Sequence, residues 1–415
     1  MTALGGAWRQ VFSAPAGRRQ ILVFAALVAA GAAATVFAMH FSHQKTPNRR
    51  GGPVSTMTQP EPTRLWGEVV VGIGLLAMLA GGSVFWVTGI PVSLAFPWDR
   101  STLSFMLGAS LVVTGLFEML VVPRYRPALA AVLVGLAIGL HFQNALEYRA
   151  EWQKLQKFYW QLTWRAPGLE PGTLILFDVI PLNRYSDSDL TALLNWTYAP
   201  ELNSRQLPFK FFDLTIRLDS EHAGISRLEK DILVEHNHRG TFFKTTTSST
   251  LALVYDPPAC LRILRPEDAL LPGLPERLAR AVPITRLEQI RAEAGGARPP
   301  AQLGQEPPHD WCYYFERADL ARQQEDWTGV AVVGQEAFAA GLHWEDPVEL
   351  LPFIEGYARA GLWEKAGELA REAGQKSDLQ ASLCALWDRV EEGQAGDGEA
   401  GTALNSLRSE TNCQP

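Results

Sequence analysis

Four long apolar runs dominate the first third of the chain. Ile21–Met39 is 19 residues without a charge, Val69–Ile90 is 22 on the same terms, and Leu103–Val122 is broken only by Glu118. The fourth, Pro127–Phe142, is shorter and bounded by Arg126. About 20 apolar residues, each rising 1.5 Å, cross a hydrocarbon core of roughly 30 Å. The pattern therefore predicts four transmembrane helices, over about 21–39, 69–90, 103–122 and 127–142, in a membrane domain spanning 1–142. A cleaved signal peptide is the rival reading of the first run, but that run is too long and three more follow it.

Past the fourth run, His141–Trp164 contains neither Gly nor Pro and spaces Leu146, Trp152, Leu155, Tyr159 and Leu162 as a helix does. An unbroken helix is expected over 143–164, ended by Pro167, Gly168, Pro171 and Gly172. Trp152, Tyr159, Trp160 and Trp164 are amphipathic aromatics that favour a membrane–water boundary, so 143–165 reads as an interfacial or stalk helix. An ordinary helix docked on a soluble domain is the alternative. The pattern then becomes that of strands: Thr173–Ile180, Leu207–Leu218, Asp231–Glu235, Thr241–Thr246 and Leu251–Asp256, with a helix at Asp189–Tyr198. Thr247–Thr250 reads as a polar hairpin link, and 166–265 as a small mixed α/β domain. Residues 266–308 are rich in Pro and Gly and read as a linker with one helix at Leu287–Ala294.

The C-terminal part repeats. Trp327, Val330, Val333 and Ala337 return 36 residues later as Trp363, Ala366, Leu369 and Ala373, each set after a helix-like stretch, Tyr313–Gln324 and Glu349–Ala360. Residues 353–373, FIEGYARAGLWEKAGELAREA, resemble a tetratricopeptide repeat. That resemblance implies paired helices over 309–391, with small residues at close contacts and aromatics between pairs. Trp327 and Trp363 are then expected in equivalent, largely buried places. Composition makes 392–415 a flexible tail.

Charge divides the chain in the same way. Residues 1–150 carry net +6 and the remainder net −13. A basic apolar part joined to an acidic polar part is no purely soluble protein, and the acidic part argues against nucleic acid as a partner. Sidedness is divided. Lys45, Arg49, Arg50, Arg64, Arg124 and Arg126 place the first and third connecting loops inside against Arg100 in the second, leaving the C-terminal part outside. The flanking Arg9, Arg18, Arg19, Arg149, Lys154, Lys157 and Arg165 point the other way. Cysteine usage leans outward: Cys260, Cys312, Cys384 and Cys413 all lie in the acidic part, an even number that suits two disulfides in an oxidising space. Their spacing is too wide for a CxxC site, and free buried thiols in a cytoplasmic domain are the alternative.

Candidate chemistry is sparse. Glu118 within the third run, and Asp99 with Arg100 in the short loop, are possible membrane-site polar residues. The plainer readings are snorkelling for Glu118 and a local ion pair for Asp99 and Arg100. Asp187, Asp189, Asn195 and Tyr198 follow the first strand, where α/β domains place ligands, although the same segment makes a good helix cap. His236 and His238 share one face of a strand without an evident third metal ligand, and Asn195–Thr197 matches a glycosylation sequon. No catalytic, cofactor or metal motif stands out.

The whole layout resembles bacterial envelope proteins with several spans, an outer α/β domain and helical hairpins. It is also similar to the C-terminal half of polytopic glycosyltransferases that use lipid-linked sugars. In that family the catalytic acids sit in an early outside loop, whereas Phe41–Arg64 holds only Glu61 and no Asp. The fold expected is a multi-span α-helical membrane domain, a small mixed α/β domain and an α-helical hairpin (TPR-like) C-terminal region. The function expected is a non-catalytic binding or assembly module of the bacterial plasma membrane, meeting lipid and a protein or glycan partner, with no cofactor. The alternative is a part or subunit of such a glycosyltransferase.

Overall fold

The computed structural model of the chain describes residues 18–44, 62–94, 96, 98–219, 224–293, 295–393 and 398–413. Most of the first connecting loop, including Lys45, Arg49, Arg50 and Glu61, lies outside them. The chain divides into two compact units, Met1–Glu151 and Trp152–Pro415.

The first unit is helical. Helices α1 (Arg18–Gln44), α2 (Pro62–Thr88), α3 (Leu103–Leu120) and α4 (Arg126–Arg165) contain four segments long and apolar enough to cross a membrane. Each apolar run of the sequence became one of these helices. Glycines set how closely they pack. A Cβ on Gly74 of α2 would lie 2.8 Å from the Gly108 carbonyl of α3, and one on Gly108 would lie 2.6 Å from the Gly74 carbonyl. Gly67 and Gly115 meet in the same way one heptad along, so only a seam without side chains allows this approach. On α4, a Cβ at Gly135 would lie 3.0 Å from the Val28 carbonyl of α1.

Helix α4 runs 40 residues without a break, about 60 Å and twice what a span needs. The unbroken helix expected over 143–164 is present. Its aromatic end is packed in protein. Leu155, Phe158, Tyr159 and Leu162 are fully buried, and Trp160 and Trp164 are 7% and 8% exposed, all inside the second unit. Leu155, Phe158, Tyr159 and Leu162 pack against a sheet, whereas Trp164 packs on Trp160, His309 and Tyr313 and donates its indole N–H to Glu306 Oε1 at 2.9 Å.

That sheet has four strands in the order β2-β1-β5-β6, formed by β1 (Leu174–Phe177), β2 (Lys210–Asp213), β5 (Thr250–Val254) and β6 (Arg262–Ile263). β1 is parallel to both neighbours, with Leu174 opposite Lys210 and Thr250, while β6 is antiparallel to β5. Strands buried on both faces read as continuous apolar runs, as LILF of β1 does. Ile175, Phe177, Phe211 and Leu251 face the α4 core, whereas Leu176, Phe212 and Ala252 belong to the core shared with the C-terminal helices. Helix α5 (Asp187–Tyr198) crosses from β1 to β2 and closes the free edge of β2. Its Thr191 hydroxyl accepts from the Phe211 N–H at 3.0 Å, and its Asn195 amide donates to the Phe209 carbonyl at 2.9 Å. An open edge would otherwise invite a foreign strand. A single-turn helix, α6 (Leu214–Arg217), ends the longer strand expected over Leu207–Leu218.

The hairpin was expected at the wrong place. β3 (Leu233–His238) pairs antiparallel with β4 (Thr241–Thr246) around Arg239 and Gly240, both in the left-handed region. Thr247–Ser249 is a 3-10 turn that carries the chain from this hairpin into β5 of the main sheet. The expected linker is also part of the core. Helix α7 (Glu276–Ala281) with Leu278, Ala281, Val282 and Ile284 packs against the sheet, and Thr285 bridges Thr250. Leu287–Gln289 forms only a 3-10 turn in place of the expected helix. Pro and Gly in this segment punctuate packed turns.

Helices α8 (Trp311–Gln323), α9 (Trp327–Ala339), α10 (Leu351–Arg359), α11 (Trp363–Ala373) and α12 (Gln380–Gly393) follow, joined by short turns. The 36-residue offset survives in three dimensions. Val330 and Ala366 are fully buried, as are Ala337 and Ala373, and the turn residues Glu325 and Gly361 both take positive φ, 58° and 76°. Trp327 and Trp363 occupy equivalent places at the start of their helices but are half-buried, short of the expected burial. Both stand at the first position of their helices, and the Arg359 guanidinium lies over the Trp327 ring, 5.2 Å from its centroid. Most of the expected flexible tail is ordered: Gly398–Glu410 forms α13, with Leu404 and Leu407 buried against α11 and α12. Residues 394–397 lie outside the described residues.

Buried ion pairs stitch the helices. Arg165 Nε lies 2.6 Å from Asp319 Oδ2, Arg322 Nη2 lies 2.7 Å from Glu355 Oε2, and Arg389 joins Glu355 at 3.1 Å. Burial alone would raise Asp319, but Arg165, Arg265 and Arg322 draw it down to about 2. Asp319 and Glu355 are themselves 36 residues apart, so the charges join the repeat and tie it to the end of α4. Such pairs add registry more than net stability.

Candidate functional site

A cavity of about 220 Å³ opens at the carboxyl ends of β1 and β2. In open parallel sheets this is where chain connections diverge and leave a crevice. β1 has its two parallel partners on opposite sides, so that divergence falls at its end. Both strands finish in Phe-Asp: Asp178 follows Phe177, and Asp213 follows Phe212. Asp187, in the first turn of α5, supplies a third carboxyl group to the lining, and Thr215 and Tyr185 add hydroxyls.

Two of the carboxylates are matched by arginines. Asp178, 4% exposed, pairs with Arg277 at 2.7 Å. Asp187 takes the Arg217 guanidinium in a two-point contact, 2.7 Å to Nε and 3.2 Å to Nη2. Burial pushes Asp187 up, but Arg217 and Lys210 overcome it and hold the carboxyl below its usual range. Asp213 accepts from the Thr215 N–H at 2.8 Å and the Thr215 hydroxyl at 2.6 Å. It stays raised, first by burial and then by the neighbouring Asp187 and Asp178 charges.

The reverse face of β2 carries a basic set. Lys210 is 2% exposed, its ammonium 5.9 Å from the Phe212 ring centroid, with the Arg217 guanidinium 5.7 Å from the same ring. Burial lowers Lys210 to about 8, with Asp187 opposing and Arg217 reinforcing. Burial also lowers His236 to about 4, helped by Lys210 and Arg217, which keeps that imidazole neutral near pH 7. Shifted groups gathered beside a cavity mark a candidate site. Here the carboxyl groups are bonded to arginines or to a turn, so the cavity offers oxygen acceptors and hydroxyls to a polar ligand.

The four polar residues singled out in the sequence do not act together. Asp187 lines the cavity. Asp189 completes a capping box, accepting from the Ser186 N–H at 2.9 Å. Asn195 is tied to the Phe209 backbone and only 6% exposed, which places its sequon out of reach in the folded chain. The Tyr198 hydroxyl donates to the Ala166 carbonyl at 2.7 Å, and burial raises its pKa. Asp178, Asp213, Lys210, Arg217 and Arg277 were not singled out. The repeated Phe-Asp at the ends of two apolar strands was the signal for the acids. Nothing local marked the arginines.

The remaining candidates resolve simply. Glu118 is paired with Arg126, whose guanidinium also donates to the Glu118 and Val121 carbonyls at 2.6 Å and 3.0 Å. Asp99 is the first residue of the 3-10 turn before α3 and accepts from the Arg100 backbone N–H at 2.9 Å, a local bond to the backbone in place of the expected side-chain ion pair. The His236 and His238 rings stack 6.2 Å apart, and among the described residues no three His, Cys, Asp or Glu side chains form a metal-ligand set. The cysteines pair as Cys260–Cys312 and Cys384–Cys413, each with Cα atoms 5.3 Å apart. No family model, curated protein or solved structure matches this chain.

Proposed function

We propose that the chain is an integral membrane protein of the bacterial plasma membrane, with its acidic unit outside the cytoplasm acting as a non-catalytic binding or assembly module. The observation that carries this reading is the pairing of all four cysteines within that unit. Such bonds persist in oxidising compartments and are reduced in the cytosol. Leu22, Leu76, Leu107 and Leu120 are each at least 67% exposed, a surface that suits lipid far better than water. The 36-residue helix pairs support a tetratricopeptide-like scaffold for a protein partner, and the acceptor-lined cavity supports a polar ligand such as a glycan. The pairing of Asp178 and Asp187 with arginines favours binding over an acid–base pair of a glycosyltransferase.

The test is labelling of intact cells with a membrane-impermeant maleimide. Labelling that appears only after an impermeant phosphine reductant supports an outside, disulfide-bonded unit. Labelling that requires permeabilised cells, or that needs no reductant, overturns the reading.

A further inference from the structure

A second concavity lies away from the strand ends, between the segment leaving α4 and the turns that follow the sheet. It encloses about 430 Å³, within the usual size range of a small-ligand site. Pro167, Tyr198 and Pro200 form one wall, and Arg291, Arg298 and the Gly295–Gly296 backbone form the other. No acidic side chain lines it, in a part of the chain whose net charge is −13.

The two walls are pinned together. The Arg291 N–H donates to the Gly168 carbonyl at 2.9 Å, the Ala297 N–H to the Pro167 carbonyl at 2.7 Å, and the Glu170 N–H to the Gln289 carbonyl at 2.8 Å. Glu170 also holds Arg291 from outside the groove, Oε1 to Nε at 3.1 Å. Among the described residues Arg298 makes no ion pair. A Cβ at Gly295 or Gly296 would meet nothing within 4 Å, and Gly296 has φ +70°, so bare backbone shares the lining with the two arginines.

We propose that this groove binds a small ligand through a phosphate or carboxylate group. Arg291 and Arg298, both in the lining, supply the positive charge and the N–H donors that such an oxyanion takes, and the bare glycine backbone lets it approach closely. The proline and tyrosine wall accommodates the body that carries the anion. The site depends neither on the sidedness of the unit nor on the carboxylate cavity.

The experiment uses the full chain in detergent micelles, titrated with inorganic phosphate or succinate against chloride at matched ionic strength. Calorimetry should show saturable binding of at least one oxyanion with a dissociation constant of about 1 mM or tighter, and the stronger of the two identifies the head group. Arg298→Ala should weaken it about tenfold or more, and Arg298→Lys should recover only part of the loss. Arg317→Ala, at an exposed arginine on α8, should leave binding unchanged. Binding no better than chloride for both oxyanions overturns the proposal, as does full affinity in Arg298→Ala.

Discussion

Removing the Cys260–Cys312 bridge by changing both cysteines to alanine should cost the second unit about 4 kcal/mol. The bridge joins residues 52 apart in sequence and ties the end of the α/β sheet to the first turn of α8. Most of its effect lies in the unfolded chain, where closing a loop of that length removes conformational entropy. The folded junction has other supports. The Cys260 N–H donates to Glu349 Oε1 at 2.8 Å and Trp311 Nε1 donates to Glu349 Oε2 at 2.7 Å, neither of which involves sulfur. The folded state should therefore keep its geometry while its margin over the unfolded state shrinks. The Cys384–Cys413 bridge spans 29 residues and should cost only about 0.5 kcal/mol less, because loop entropy grows with the logarithm of length. Its loss should be local, since it fastens α13 to α12 alone. Urea titration of the full chain in detergent, followed by tryptophan fluorescence, measures the first loss, and hydrogen exchange of α13 measures the second. A loss below about 1 kcal/mol for the Cys260–Cys312 variant would refute the loop-entropy reasoning. A changed emission spectrum of its folded form would show instead that the junction itself had given way.

Glu316 is fully buried, among the described residues neither of its oxygens has a hydrogen-bond partner, and burial raises its pKa well above the usual range, with Arg165 opposing and Asp319 and Glu349 reinforcing. The folded chain thus keeps a proton that the unfolded chain releases, a stabilisation complete below the ordinary glutamate value and lost as pH rises through the folded one. Glu316→Gln should gain stability relative to the native chain as pH rises from acid to alkaline, and parallel pH profiles in urea would contradict this. Gly108→Leu should weaken the α2–α3 pair by about 1–3 kcal/mol, seen as a lower melting temperature in detergent, because its side chain would meet the Gly74 carbonyl. Gly72→Leu, with nothing within 4 Å of its Cβ, should have no such effect, and equal losses would remove the glycine seam from the account. Trp327→Ala and Trp363→Ala should each cost about 2 kcal/mol, less than a fully buried Trp. A large inequality between them would break the structural equivalence of the two helix pairs.

Period and composition alone determined the elements whose apolar positions recur regularly along the chain. The four apolar helices, the run-on of α4, the strands β1, β4 and β5, and the 36-residue repeat could all be read because a local pattern encodes which face avoids water. The pattern does not say what covers that face. Tyr159 and Trp164 suit a lipid boundary and a protein core equally, and only the folded chain decided for the core, by setting the sheet beside Tyr159 and His309 and Tyr313 beside Trp164. The same holds for Thr247–Ser249, whose turn chemistry is legible while its role as a crossing between two sheets depends on strand order. Half of the candidate cavity was within reach: Asp187 was singled out, and Phe-Asp closes two apolar strands. Its cations were not, because Arg217 and Arg277 lie 30 and 99 residues from the acids they pair with. Disulfide partners, ion-pair ladders and the packing of a Pro- and Gly-rich segment share that dependence. Each is a contact between parts distant in sequence, and only the folded chain brings them within a few ångströms.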